Sequence, residues 1–173
     1  NSTINGSGWV SLSVMPVGVD VGLGSFARLT NGNVISGHRW GVRVLGGTAM
    51  LQGNNLSGNN HTGASAAGVF VSNGVVDAGQ VIDGTEANYT GLGISTGGNS
   101  FATGYAMGGA QAIVNLNANF APAPTGTANL TDGTSISARN NDFGTTVYGN
   151  VERIVNHAID NTFQGYVDYR NAV

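Results

Sequence analysis

Gly93-Ile94-Ser95-Thr96-Gly97 has the glycine, serine, glycine spacing of a nucleophile elbow, and Asp132 or Asp142 followed by His157 would complete a serine, acid, histidine order. That chemistry needs the serine at a sharp strand-to-helix turn, with its hydroxyl exposed and backbone N–H groups aimed at an oxyanion. After Ser95 and Thr96 the chain reads GGNSFATGYAMGG, too rich in glycine to open a helix. The pentad is read as a product of abundant glycine and serine, and the chain as something other than an enzyme.

Other candidates fail on similar grounds. Gly18, Gly22 and Gly24 resemble a dinucleotide-binding turn in spacing, but they lie in an alternating strand with no helix behind them to receive a phosphate. His38, His61 and His157 lack the spacing of metal ligands. Asn140-Asn141-Asp142 and Asp83-Gly84-Thr85-Glu86 are oxygen-rich enough to hold calcium, yet neither completes a calcium-loop pattern, and both read as turns closed by side-chain-to-backbone bonds. No catalytic, cofactor or metal site is expected.

Association is the remaining chemistry. The polar opening NSTINGSG leads into a strand, Trp9 to Met15, in which Trp9 begins the run and Val10, Leu12 and Val14 alternate with serines. Such a strand, over residues 1–15, could leave its own domain and complete a neighbour's sheet, with main-chain bonds giving affinity and alternate side chains giving register. In the run from His38 to Leu45, Arg39 and Arg43 fall on one face with Gly41 and Leu45, while His38, Trp40, Val42 and Val44 fall on the other. Together with Trp9, Val10, Leu12 and Val14, these two arginines are the expected self-association residues. Trp9, Trp40 and the five tyrosines would make a sugar-stacking platform only if several lined up on one exposed face.

Composition sets the bounds. The 173 residues suffice for one domain with a real core. Charged residues are only 9% of the chain against about 25% in an ordinary soluble domain, while 29 glycines and 21 asparagines fill the space. With 40% hydrophobic residues and a net charge of −3, this is not the signature of disorder. All six basic residues are arginine, and the missing lysine removes a common guard against edge-to-edge pairing. Nucleic acid and anionic membrane surfaces are poor partners for such a chain. There is no cysteine, hence no disulfide or thiolate site. No run is long and apolar enough to insert in a membrane, and the start at Asn1 is read as a mature terminus left by a cleaved signal peptide.

The elements that must carry these residues are short strands. Period-two alternation recurs, as in Ala112, Val114, Leu116, Ala118 and Phe120 opposite Gln111, Asn115, Asn117 and Asn119. Asn31-Gly32 and Asn73-Gly74 read as two-residue hairpin turns. One helix is expected near 150–161, capped by Asn150, although Val151, Arg153 and Val155 also fit a strand. Repeated triplets share no period, which argues against a solenoid. The expectation is a mostly β single domain over 1–173, a β-sandwich or jelly-roll-like fold with one short helix. The function expected is that of a secreted, self-assembling subunit of an extracellular microbial filament, pilus-like appendage or surface matrix, its partners other copies of itself. A glycan-binding adhesin or fibre domain is the alternative.

Overall fold

A computed structural model of the chain describes residues 2–5, 16–61, 66–80, 88–106, 108–117, 136–156 and 166–173. Strands dominate, in the order β1 (Thr3–Asn5), β2 (Val17–Val21), β3 (Phe26–Thr30), β4 (Val34–Ser36), β5 (Trp40–Leu45), β6 (Thr48–Gln52), β7 (Ala67–Ser72), β8 (Val75–Gly79), β9 (Gln111–Asn115) and β10 (Ile136–Ala138). A single helical turn and a half, α1 (Tyr148–Glu152), precedes β11 (Val155–Asn156) and β12 (Val167–Asp168). One five-stranded sheet runs β2-β5-β7-β9-β11 and the other β3-β6-β8-β10-β12, with every pairing parallel.

Successive strands alternate between the two sheets, so each pass of the chain adds one rung to both. A third side is built from β1 paired in parallel with β4, continued by single bridges Val34 to Asn55, Asn55 to Ser100 and Ser100 to Asp142. The chain therefore winds as a parallel β-solenoid. The mostly β expectation is met, but a sandwich or jelly roll of antiparallel neighbours is not what these sheets form, and the argument against a solenoid is corrected. Its reasoning relied on a fixed period, whereas equivalent residues on successive coils are separated by 21, 45 and 42 positions. Extra residues enter between strands, where they lengthen a coil without disturbing the parallel register.

The asparagine–glycine pairs turn corners between sheets rather than closing hairpins. Asn31 (φ 68°) and Gly32 (φ 78°) link β3 to β4, and Asn73 (φ 52°) links β7 to β8. Positive φ reverses the chain locally in either setting, and here the two flanking strands belong to different sides.

Inside, like stacks on like. Val42, Val69, Ile113 and Val155 form one buried column of the first sheet and Val21, Val44 and Val71 another. Ala49 and Val76 face them from the second sheet, and Ile35, Leu56, Phe101 and Phe143 fill the third side, with the two phenylalanine rings stacked at 5.2 Å. These side chains are at most 3% exposed. In-register parallel stacking of branched and aromatic residues gives continuous burial from coil to coil, the chief apolar contribution to such a fold.

Two further expectations change. The helix is limited to Tyr148–Glu152, with Val147 at its N-cap and no side-chain cap, while Val155 and Asn156 pair with β9 as a strand. Residues 157–161 lie outside the described residues. In β9 the alternation slips, because Ala112 and Ile113 are both buried: beyond them Asn115 is fully buried, Val114 faces outward and Leu116 is 39% exposed. The cause is at the corners, where buried amides satisfy backbone groups that no ladder reaches. Asn117 accepts from Gly74 N–H (3.0 Å) and donates to Gly74 C=O (2.7 Å), and Asn115 donates to Tyr166 C=O (3.0 Å).

Candidate functional site

The outer face of the first sheet gathers the described members of the expected association set. Parallel register places Asp20, Arg43, Phe70, Val114 and Asn156 in one outward row across β2, β5, β7, β9 and β11. Trp40, Ala67 and Gln111 form a second row beside it. Between them runs a groove of about 310 Å³ lined by Arg39, Trp40, Phe70, Gln111, Val114, Leu116 and Asn156.

Trp40 is the hub of this face. Its ring meets Phe70 at a centroid distance of 4.9 Å, and the guanidinium carbons of Arg39 and Arg43 lie 4.3 and 5.1 Å from its centre. Arg39 and Arg43 are thus brought together as expected, but by Trp40, which strict alternation had placed on the opposite side. The alternation breaks at Gly41, where a Cβ would lie 2.6 Å from the buried Asn59 amide and 2.7 Å from Gly68 C=O. Gly41 and Val42 are both buried, which carries Trp40 to the outside.

Arg43 grips Asp20 through two parallel bonds, Nε to Oδ1 at 2.9 Å and Nη2 to Oδ2 at 2.5 Å. The hydrogen bonds from Arg43 hold the Asp20 carboxyl below its ordinary pKa, and those to Asp20 raise that of Arg43. Partly exposed, the pair contributes on the order of 1 kcal/mol at most and serves chiefly to fix the guanidinium over the indole.

Two groove residues escaped the sequence reading. Gln111 Oε1 and Asn156 Oδ1 are shielded from solvent and have no hydrogen-bond partner among the described residues. Buried polar atoms are nearly always paired, so two orphans on one groove set this surface apart. Residues Trp9, Val10, Leu12 and Val14 lie outside the described residues. From the same opening stretch, Thr3–Asn5 pairs with β4 of its own chain.

The remaining polar clusters are structural. Asn33, Asn54, Asn99 and Asn141 form a ladder inside the corner between the second and third sides, each amide donating to the next: Asn33 to Asn54 at 2.8 Å, then Asn54 to Asn99 and Asn99 to Asn141, both at 3.0 Å. Asn59 plays a similar part at another corner, donating to Ile35 and Leu56 carbonyls and accepting from His38. Burial lowers the His38 pKa, so the ring stays neutral there.

Ser95 is fully buried, donating its hydroxyl to Leu51 C=O at 2.5 Å and accepting from Gly97 N–H at 3.1 Å. This geometry hides the hydroxyl rather than arming it. Asp77 accepts from Gly79 N–H, Gln80 Nε2 and Ser95 N–H, pinning the segment that holds Ser95 over the second sheet, and burial pushes its carboxyl pKa upward. Asp168 binds Arg139 at 2.5 Å and Arg170 at 2.7 and 2.8 Å; burial also raises its pKa, opposed by Arg139. Asn141 belongs to the ladder, and Asp142 accepts from Ser100 Oγ and Gly144 N–H, which accounts for that oxygen-rich turn. The loop from Asp83 to Glu86 lies outside the described residues, as do Asp132 and His157. The tyrosines do not share a face with Trp40: Tyr105 donates to Leu56 C=O, Tyr89 to Val76 C=O, and Tyr148 packs on Tyr169. In comparisons with protein-family models, curated proteins and solved structures, nothing matches the chain.

Proposed function

We propose that the chain is a structural module of an extracellular microbial surface fibre or matrix, and that it associates end to end with copies of itself by β-strand addition. The observation that carries this reading is the state of the sheet ends. Among the described residues β2 and β3 have a partner on one side only, and so have β11 and β12 at the other end. In a parallel solenoid the two ends are complementary, since each offers the same strand direction and spacing that the interior pairs use. Stacking β11 and β12 of one copy beside β2 and β3 of the next makes a head-to-tail contact that repeats without closing, which yields a filament.

Exposed apolar side chains support the same assembly. Leu23 (88% exposed) and Phe26 (69%) lie on the first coil, whereas Val147, Tyr148 and Val173 flank the last two strands. No lysine guards either end. Light scattering and negative-stain electron microscopy across a concentration series test the proposal: the intact chain forms rods that lengthen with concentration, and Leu23→Asp with Phe26→Asp shortens them. A chain that stays a single copy at high concentration overturns it.

A further inference from the structure

We infer that the groove on the outer face of the first sheet is a carbohydrate-binding site that takes a neutral hexopyranose unit of a glycan. Four features of the groove bear on the occupant. Its volume of about 310 Å³ is at the lower end for small-ligand sites and suits one or two sugar rings. Its floor and wall are apolar, from Phe70, Val114 and Leu116, and they face outward although β9 could have buried Val114 and Leu116 by the opposite register. Gln111 and Asn156, on neighbouring strands, each carry a carbonyl oxygen without a partner among the described residues. Arg39, stacked on Trp40, lines the same groove.

A pyranose matches this set as few ligands do. One side of the ring is a patch of C–H groups that packs on an aromatic face, and its edge carries hydroxyls. A hydroxyl both donates and accepts, so it satisfies a side-chain amide in either of its two orientations. An anionic ligand fits less well, because both acceptor oxygens would repel it. A purely apolar ligand would leave both amides unpaired. The groove lies on the outer face of the sheet, chiefly over β5, β7 and β9, and only Asn156 of its lining belongs to a strand used for assembly, so the same module could carry both activities.

The test reads affinity and stability together. An array of immobilised neutral hexose, N-acetylhexosamine and sialylated oligosaccharides is probed with the whole chain at dilute concentration, and isothermal titration follows with the free oligosaccharides that bind. Binding to neutral oligosaccharides is expected, weakened tenfold or more in Gln111→Leu, Asn156→Leu and Phe70→Ala. The two leucine variants remove buried unpaired oxygens, so their melting temperature is expected to rise or hold while affinity falls. This pairing separates loss of a ligand contact from loss of fold. An array with no bound glycan overturns the inference, as does affinity unchanged in all three variants; preference for sialylated glycans alone overturns the neutral assignment. Gln111 and Phe70 lie on the interior strands β9 and β7, so in Gln111→Leu and Phe70→Ala rods can persist while sugar binding fails, and in the Leu23 and Phe26 variants the reverse.

Discussion

Replacing Asn99 by alanine removes the central rung of the corner ladder and is expected to cost about 3–5 kcal/mol of unfolding free energy. Asn99 is fully buried; its amide donates to Leu51 C=O, Ala78 C=O and Asn141 Oδ1, each at 3.0 Å, and its oxygen accepts from Asn54 N–H at 3.1 Å and Asn54 Nδ2 at 3.0 Å. Not all of these losses are equal. Leu51 C=O keeps the Ser95 hydroxyl, Ala78 C=O keeps Asn141 Nδ2, and Asn141 Oδ1 keeps Asn99 N–H. The Asn54 backbone N–H is left with no other partner among the described residues, at about 1–3 kcal/mol, and the weakened bonds and the void add roughly 0.5–1.5 kcal/mol apiece. Asn33, half-buried at the end of the ladder, makes fewer such bonds and has water to replace them, so Asn33→Ala costs about 1 kcal/mol. Asn99→Asp keeps the shape but faces three acceptors with carboxylate oxygens, and is expected to destabilise at least as much as alanine at neutral pH. Urea unfolding followed by far-ultraviolet circular dichroism at 25 °C measures all three. Equal, small losses at positions 33 and 99 would refute the reasoning.

Asp77→Ala removes the carboxylate that accepts from Ser95 N–H and Gln80 Nε2, and amide hydrogen exchange is expected to speed up through residues 88–98 while the β5 and β7 amides stay protected; unchanged exchange there counts against Asp77 as the anchor. His38 has a folded-state pKa below its ordinary 6.5, so the unfolded chain takes up its proton first. Its contribution is therefore complete above pH 6.5 and falls as the pH drops from 6.5 through the folded-state value, and His38→Gln is expected to flatten this part of the stability profile measured by urea unfolding. Gly41→Ala places a methyl 2.6 Å from Asn59 Nδ2 and 2.7 Å from Gly68 C=O, an overpacking of about 1–3 kcal/mol that thermal unfolding would register.

Strand content and the apolar rows were legible because alternation in Val17–Val21 and, from Val42 to Leu45, in the strand Trp40–Leu45 reports a two-faced strand directly. Strand direction was not, because a parallel and an antiparallel pair use the same alternation. The turn at Asn31-Gly32 shows why: its positive φ suits a hairpin and a solenoid corner alike. A usable signal was present in another form. Asn33-Val34-Ile35-Ser36, Asn54-Asn55-Leu56-Ser57, Asn99-Ser100-Phe101-Ala102 and Asn141-Asp142-Phe143-Gly144 share an asparagine, a spacer, a large apolar residue and a small one. Each asparagine joins the ladder, each spacer position bridges the third side, and each apolar residue is buried, but unequal coils hide the recurrence from any test for a period. Arg39 and Arg43 were placed on one face by alternation, yet Trp40 joined them only because Gly41 breaks the pattern. Phe70, Gln111 and Asn156 carry no motif; only the register of β7, β9 and β11 brings them to the groove.

Nuclear Overhauser contacts among the side-chain amides of an isotopically labelled chain probe the coil stack most directly. Parallel winding predicts contacts from Asn33 to Asn54, Asn54 to Asn99 and Asn99 to Asn141, between residues 21, 45 and 42 positions apart. Absence of all three, with close Hα pairs typical of antiparallel neighbours between β5 and β7, would contradict it.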